Sequence, residues 1–233
     1  MKLVICAGPA TTGKTATLRH ATRKLLAAGH RVAFLKIDVQ YAEEDEQLRS
    51  EFGIPTRKVY SGELCPDHCS VMVLGDALVW ARREEAAVLL VETAGLCLRC
   101  APYVEGGLGV MVMEATSGIN LPLKVGPLLS LADIAVVTKI DRVSQAEREV
   151  FRARVQEVAP MVKVREVNAL HGIGIDPLVD HILATPEVGD RVRLRGCPPV
   201  GTCTICVGKK DVGWQAHFGV VRPLENQMFY RGE

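Results

Sequence analysis

The sequence lacks a charge imbalance and lacks any long apolar run, and both absences narrow the classes of function. Its 28 basic and 27 acidic residues give a net charge of +1, which gives no electrostatic reason to expect a nucleic-acid or membrane partner. Nowhere do roughly 18 apolar residues follow one another, so no membrane-spanning helix is predicted. The apolar start, LVICAGPA, is too short for a secretory signal and runs directly into a motif. We therefore predict a cytoplasmic protein.

Length and composition predict a globular protein with one main domain. The chain has 233 residues, of which 48% are hydrophobic and 24% charged. In a reducing compartment, its eight cysteines are expected to be free, metal-binding or redox-active rather than paired in disulfides. Seven of them lie in three clusters. The other, Cys6, lies in an apolar strand, where we interpret it as a small buried side chain.

A phosphate-binding loop is predicted near the N-terminus. GPATTGKT (8–15) fits G-x-x-x-x-G-K-[ST], between a strand-like run, KLVICA, and a segment with helical periodicity. In such a loop, backbone N–H groups surround the β-phosphate, Lys14 reaches the β- and γ-phosphates, and the Thr15 hydroxyl binds Mg²⁺. The alternative, a chance match on a Gly-rich turn, is disfavoured by the flanking strand and helix. The candidate nucleotide-binding residues here are Gly8, Thr11, Thr12, Gly13, Lys14, Thr15 and Ala16.

Two acidic residues stand at the carboxyl ends of predicted strands. Asp38 follows RVAFLKI and Glu92 ends VLLVE. Ligands of α/β sheets bind at that edge, so we predict that both acids help to bind Mg²⁺ and orient the attacking water. With Lys14 they form the candidate catalytic set. For Asp38 an alternative is a helix cap for the acidic stretch 41–53, which we interpret as a solvated helix.

Two cysteine clusters predict a transition-metal site. One is in the turn-rich segment SGELCPDHCS, and the other, of C-x-x-C spacing, directly follows ETAG. Thiolates and an imidazole so close together are typical ligands of Zn²⁺ or Ni²⁺. The alternative for the first cluster is a pair of incidental cysteines at the start of a helix over 71–85. The candidate ligands are Cys65, His68, Cys69, Cys97 and Cys100.

A guanine-binding motif is predicted at the end of IAVVTKID (134–141). In T-K-x-D, formed by Thr138, Lys139 and Asp141, the carboxylate can accept hydrogen bonds from both the ring N–H and the exocyclic amine of guanine. Adenine lacks that pair of donors. Alone, the tetrapeptide could be a solvated strand end. Its position at a strand end, far downstream of a phosphate loop, favours guanine.

Strands and helices alternate along the first part of the chain. Further strands are predicted at 109–116 and 162–170, and further helices at 122–132, 143–160 and 172–183. The predicted fold class is therefore α/β, a doubly wound, mostly parallel sheet of about six or seven strands of the P-loop NTPase type. We assign 1–184 to this GTPase domain.

A cysteine-rich C-terminal extension is predicted over 185–233. It is rich in Gly and Pro and carries Cys197, Cys203 and Cys206 with C-x₅-C-x₂-C spacing. Such segments often need a metal to order them. These thiols could bind zinc with His217, or hold an iron–sulfur cluster with a ligand from elsewhere or from a second chain. The alternative is a docking tail with free cysteines.

The motifs GPATTGKT, LKID, CPDH, ETAG, CLRCAP, TKID and NALHGIG resemble, in order and spacing, the GTPases that help to insert nickel into hydrogenase and urease. These are the HypB/UreG-like members of the SIMIBI class, and the match covers residues 1 to about 184. The resemblance implies slow, Mg²⁺-dependent GTP hydrolysis to GDP by a nucleotide-dependent homodimer. It also implies delivery of a transition metal to a client apo-metalloenzyme, with accessory proteins as partners. It places Gly95 near the γ-phosphate, Ala169 beside the base, and Cys65, His68 and Cys100 in the metal motif.

Departures from the family pattern concern the metal more than the nucleotide. Asp67 is inserted before His68, Cys69 and Cys97 are extra thiols, Thr138 replaces the usual Asn, no histidine-rich arm precedes the phosphate loop, and the cysteine-rich tail is additional. An alternative function is therefore an iron–sulfur- or zinc-binding NTPase that activates or docks on a redox enzyme, with Cys65, Cys69, Cys97 and Cys100 as its cluster site. A third interpretation, a small-molecule kinase with structural zinc, is disfavoured because no acceptor-substrate segment is visible.

Overall fold

The computed structural model describes residues 1–62, 65–95, 100–196 and 209–213. Within them are seven strands and seven α-helices. The strands are β1 Lys2–Ala7, β2 Val32–Asp38, β3 Thr56–Tyr60, β4 Val88–Glu92, β5 Leu108–Glu114, β6 Ile134–Thr138 and β7 Lys163–Glu166. The helices are α1 Lys14–Ala27, α2 Glu44–Phe52, α3 Pro66–Arg83, α4 Leu121–Lys124, α5 Pro127–Ser130, α6 Gln145–Val158 and α7 Asp176–Ala184. Strands and helices alternate, except that β5 follows β4 and that α4 and α5 are consecutive.

The strands form one sheet in the order β3-β2-β4-β1-β5-β6-β7, and every pair is parallel. This confirms the predicted doubly wound α/β fold. Because side chains alternate along a strand, each face of the sheet builds its own core. Val4 and Cys6 pack with Leu18 of α1 on one face, whereas Leu3 and Ile5 belong to the core of the other face. The interpretation of Cys6 as a buried core residue is therefore confirmed.

Strand β1 lies at the centre of the sheet, between β4 and β5. The chain builds the β2 side first and the β5 side afterwards, so the direction of winding reverses next to β1. In open α/β sheets, ligands bind at such a reversal, outside the carboxyl ends of the strands. Four strands end at this edge. The phosphate loop follows β1, and Asp38, Glu92 and Thr138 are the last residues of β2, β4 and β6, respectively.

Several predicted boundaries differ from the structure. Strand β3 was missed, since its five residues include two basic ones and lack an apolar run. The single helix predicted over 122–132 is two short helices, because the backbone leaves the helical conformation at Gly126, with φ 41° and ψ −120°. The last predicted helix begins at Asp176 rather than at 172. Helix α6 matches its prediction and begins with a capping box formed by Ser144 and Glu147.

The described residues after α7 pack against the sheet domain. The Arg195 guanidinium donates a hydrogen bond to the Val104 carbonyl at 3.0 Å and forms an ion pair with Asp133 at 2.6 Å. The Gly213 amide donates to the Val71 carbonyl of α3 at 3.0 Å. The domain boundary at 184 stays a prediction. No helix in the described part of the chain combines the length and the apolar character needed to cross a bilayer.

Candidate nucleotide-binding site

The phosphate loop joins β1 to α1, as its motif predicts. Thr11 and Gly13 adopt left-handed backbone conformations, with φ 62° and 89°, and the first residue of α1 is Lys14. The Lys14 ammonium donates to the carbonyls of Gly8 at 3.0 Å and Pro9 at 2.9 Å. Burial lowers the pKa of Lys14, and the Glu92 charge offsets part of that effect. The loop carbonyls thus orient the Lys14 ammonium, which is predicted to neutralise the charge of the bound phosphates.

Glu92 is the centre of a buried hydrogen-bonded cluster. Its Oε1 accepts from the Thr15 hydroxyl at 2.8 Å and from the Lys36 ammonium at 2.7 Å. Only 1% of Glu92 is exposed. Lys36 also lies 3.4 Å from Asp38 Oδ2 and 3.4 Å from Glu44 Oε1. Burial pulls the pKa of Lys36 down, but the Glu92 charge and hydrogen bond outweigh it, so the pKa is raised. The cluster therefore holds a charged lysine.

This cluster fits Mg²⁺. Glu92 Oε2 is buried and has no hydrogen-bond partner among the described residues. An unpartnered buried carboxylate oxygen is costly unless a cation or a donor reaches it. The Thr15 hydroxyl and the Glu92 carboxylate are hard oxygen ligands of the kind that Mg²⁺ takes in P-loop proteins, alongside phosphate oxygens.

Asp38 lies at the end of β2 beside this cluster. Its side chain is 28% exposed, and Oδ1 accepts a hydrogen bond from the Val39 amide at 2.7 Å. The residue before α2 is Glu43, so the interpretation of Asp38 as a cap of that helix is wrong. A cavity of about 450 Å³ lies nearby, between Thr15 and the segment 41–44. The chain that follows Asp38 therefore passes close to the phosphate loop.

A second cavity, of about 300 Å³, lies on the other side of the loop. The Thr138 hydroxyl donates to the Thr12 carbonyl at 2.6 Å, which ties the end of β6 to the phosphate loop. Lys139 has a left-handed backbone, with φ 56°, and forms an ion pair with Glu114. Asp141 is exposed at the rim. The lining residues are Thr12, Gly13, Ala16, Thr138, Lys139, Asp141, Arg142, Asn168, Ala169 and Leu170.

Asn168 and Lys36 belong to this region although no role was predicted for either. Asn168 Oδ1 accepts from the backbone amides of Leu170 and His171, each at 3.1 Å. This turn fixes the backbone at Ala169, which lines the cavity. In the sequence, an Asn shortly before a Gly-containing segment indicates a turn. A lysine inside an apolar strand, as at Lys36, indicates a buried charge that needs an acidic partner.

The ETAG segment packs directly on the phosphate loop. Gly95 has φ 72°, and a Cβ at this position would lie 1.7 Å from the Gly8 carbonyl oxygen and 3.1 Å from the Lys14 ammonium. The Thr93 amide donates to the Cys6 carbonyl at 3.0 Å. Backbone contact this close is possible only with glycine. The structure thus places Gly95 beside the phosphate loop.

The first cysteine cluster is at the start of a helix rather than in a turn-rich segment. Cys65 is exposed directly before α3, whereas His68 and Cys69 are buried in its first turn. Pro66 occupies the first helical position, where proline is favoured, and so the helix begins five residues earlier than predicted. Burial raises the pKa of Cys69 to about 12. Cys69 is thus a buried thiol whose raised pKa favours the protonated form, and its role as a metal ligand stays a prediction.

The other predicted ligands are Cys100 and several residues that lie outside the described part of the chain. Cys100 is partly exposed. Within 1–62, 65–95, 100–196 and 209–213, no group of three or more His, Cys, Asp or Glu side chains could hold a metal ion. The remaining candidates, outside those ranges, are Cys97, Cys197, Cys203, Cys206 and His217.

Comparisons with known sequences agree with this geometry. The family described as CobW/HypB/UreG, nucleotide-binding domain, matches residues 2–166. An uncharacterised protein of Methanocaldococcus jannaschii is 42% identical over the whole of both chains. The urease accessory protein UreG 2 of Streptomyces griseus is 30% identical over 78% of this chain and 86% of its own.

Solved structures support the fold. The hydrogenase maturation factor HypB from Archaeoglobus fulgidus has a TM-score of 0.63 and 19% identity, covering 79% of this chain and 89% of its own. HypB from Helicobacter pylori, solved in complex with nickel, has a TM-score of 0.63 and 15% identity, covering 81% of this chain and 91% of its own.

Proposed function

Because this chain belongs to the CobW/HypB/UreG family of nucleotide-binding proteins, we propose that it is a Mg²⁺-dependent GTPase that couples its nucleotide state to metal delivery into a metalloenzyme. Nickel is the metal we favour. The observation that carries the proposal is the hydrogen bond from Thr138 to the Thr12 carbonyl. This hydrogen bond connects the T-K-x-D motif to the phosphate loop, and a cavity large enough for a nucleotide base lies beside it.

The phosphate end supports slow hydrolysis of the γ-phosphate. Lys14 supplies positive charge to the β- and γ-phosphates, and Thr15 and Glu92 hold Mg²⁺. Bound Mg²⁺ supplies charge that stabilises the phosphoryl oxygens as the bond breaks. Asp38 is close enough to the cluster to accept a hydrogen bond from the attacking water. Its partial exposure leaves room for that water.

The guanine assignment rests on Asp141. Replacing Asp141 by Asn should weaken GDP binding roughly ten- to hundredfold, because one acceptor oxygen becomes an amide NH₂, a donor that faces a donor on the base. The same change should improve xanthosine diphosphate, whose ring carries an oxygen where guanine carries the amine. Titration of fluorescent GDP and XDP measures both affinities.

Asp176 provides the control for Asp141, since it is an acid paired with Lys24 on the surface, at 2.5 Å. Asp176→Asn should leave both affinities unchanged. Equal GDP affinity in Asp141→Asn and in the parent would show that T-K-x-D is only a strand end.

Metal binding between two copies of the chain is the second part of the proposal. Cys65 is exposed and Cys100 partly exposed. Within the described residues of one chain, no three His, Cys, Asp or Glu side chains are close enough together to bind a metal ion. Two chains that face each other would double the number of thiolates, as a soft or borderline ion requires. The urease accessory name of one relative and the nickel in a structural neighbour favour nickel as the transported ion. A homodimer, accessory proteins and a client apo-metalloenzyme in the cytoplasm are the corresponding partners and location.

The short chain segment between Gly95 and Cys100 supports coupling between nucleotide binding and metal binding. Gly95 contacts the phosphate loop. Cys100 is five residues further on, so their Cα atoms cannot be more than roughly 18 Å apart. A change at the γ-phosphate would therefore move the segment that carries this thiolate.

The iron–sulfur or zinc alternative gains no support from the relatives. Its cluster site includes Cys69, which is buried within α3 and whose raised pKa disfavours the thiolate form.

We expect metal to bind about tenfold more tightly in the presence of a non-hydrolysable GTP analogue than with GDP, a coupling of about 1.4 kcal/mol. Competition with a chelator measures both affinities. Cys65→Ser and Cys100→Ser should each abolish the difference, whereas Cys69→Ala should retain it. Equal metal affinities in the two nucleotide states would remove the delivery mechanism and leave a GTPase.

A further inference from the structure

A buried lysine lies beside the candidate Mg²⁺ ligands. Lys36 is the fifth residue of β2, and only 3% of it is exposed. The residues before it in the strand are apolar. A charge at such a position is tolerated only when a partner of opposite charge is buried with it.

The sheet register supplies that partner. Lys36 lies opposite Glu92 in the parallel pairing of β2 with β4. Every second side chain of a strand shares a face, and Phe34 packs in the same core as Leu18 of α1. Lys36 is therefore on the α1 face, where the phosphate loop begins its helix.

The two oxygens of Glu92 have different surroundings. Oε1 accepts from both Lys36, at 2.7 Å, and Thr15, at 2.8 Å. Oε2 is buried without a hydrogen-bond partner in the described part of the chain. Two donors on one oxygen fix the plane of the carboxylate and leave the other oxygen available to a cation. Such outer partners commonly orient the groups that bind a metal.

We propose that Lys36 is a positioning residue for the Mg²⁺ site, because it holds Glu92 Oε1 and so directs Oε2 to the metal. Lys36 itself is not a ligand and has no direct role at the phosphates. This inference rests on the nucleotide site proposed above, and it adds a residue from β2 that lies outside the phosphate-loop motif.

The test is the Mg²⁺ dependence of nucleotide binding. Fluorescent GDP is titrated into the full chain in Mg²⁺ and in EDTA, and the ratio of the two dissociation constants is compared between proteins. Lys36→Met should lower the stabilising effect of Mg²⁺ at least about tenfold, while the affinity in EDTA stays within about threefold. An unchanged ratio would overturn the role of Lys36. A larger ratio would also overturn it, since Lys36 would then compete with the metal for Glu92.

Two variants sharpen the comparison. Lys58 lies opposite Lys36 on β3, and its ion pairs are with two acids of α2, Glu46 at 2.6 Å and Asp45 at 3.6 Å. Lys58→Met should keep the parental ratio. In a Glu92→Gln background, adding Lys36→Met should cause no further fall, because the two residues act through one carboxylate. A further tenfold fall there would assign Lys36 an independent role and overturn the proposal.

The outcomes for Lys36 and for the proposed function are distinguishable. A parent protein that binds no guanine nucleotide would contradict the proposed function itself. A parent that responds to Mg²⁺, with Lys36→Met responding equally, would contradict only the inference about Lys36. Circular dichroism monitors folding of each variant. If Lys36→Met does not fold, Lys36→Arg keeps the charge with a different head-group geometry, and its Mg²⁺ effect should fall about threefold. An unchanged effect in Lys36→Arg would then overturn the inference.

Discussion

Replacing Gly95 by alanine is expected to lower both GTP affinity and hydrolysis at least about tenfold. The new Cβ would lie 1.7 Å from the Gly8 carbonyl oxygen, far inside van der Waals contact. The obstacle is backbone, which cannot rotate away as a side chain would. The ETAG segment and the phosphate loop must therefore separate, and the Lys14 ammonium, 3.1 Å from the same position, moves with them. Nucleotide titration and single-turnover hydrolysis measure the effect.

Gly29 provides a matched control for this prediction. Its φ of 81° is close to the 72° of Gly95, but a Cβ there would meet nothing within 4 Å. Gly29→Ala should cost about 1–2 kcal/mol of folding free energy through left-handed strain and leave hydrolysis unchanged. Equal nucleotide binding by the two variants would show that ETAG does not form part of the phosphate site.

Replacing Lys14 by alanine is expected to reduce GTP hydrolysis by about a hundred- to thousandfold. The buried ammonium is held by the carbonyls of Gly8 and Pro9 at 3.0 and 2.9 Å. Its loss removes the charge that offsets the β- and γ-phosphates and removes one hydrogen-bond donor from each of those carbonyls. Single-turnover rates at saturating protein separate this loss from weaker binding.

Lys24 is a suitable control for Lys14 because it lies in the same helix. It pairs with Asp176 at 2.5 Å, and both side chains are exposed, so the pair contributes little to stability. Lys24→Ala should therefore retain parental rates. Hydrolysis by Lys14→Ala within about threefold of the parent would place the chemistry elsewhere in the molecule.

Sequence motifs predict those parts of the candidate site whose residues are close together in the sequence. Lys14 and Thr15 are adjacent and begin a helix, so the motif and its flanking pattern were enough to predict the strand, loop and helix around them. Thr138 was assigned to the base-binding motif, but its hydrogen bond to Thr12 depends on how β6 sits relative to the phosphate loop. No spacing in the sequence encodes that contact.

Features set by register or burial were harder to predict. Lys36 meets Glu92 only because β2 and β4 pair directly, although the strands are far apart in sequence. Cys69 is buried because α3 begins at Pro66, and the spacing of the cysteines does not predict that helix start. Strand β3 lacks the apolar run that identified its neighbours, and it owes its place to pairing with β2.

The central position of β1 has a consequence for biosynthesis. This first strand pairs through Val4 with Leu90 on one side and Leu108 on the other, both synthesised much later. A nascent chain therefore carries an apolar strand with two unpaired edges until β4 has left the ribosome, and with one unpaired edge until β5 follows. Such edges favour aggregation. Long-range parallel pairing also slows folding. The loop at 168–170, which lines the cavity beside Thr138, is synthesised later still. A nucleotide in that cavity would therefore assist folding only after residue 170 has been synthesised, and chaperones that bind apolar strands would act before that point.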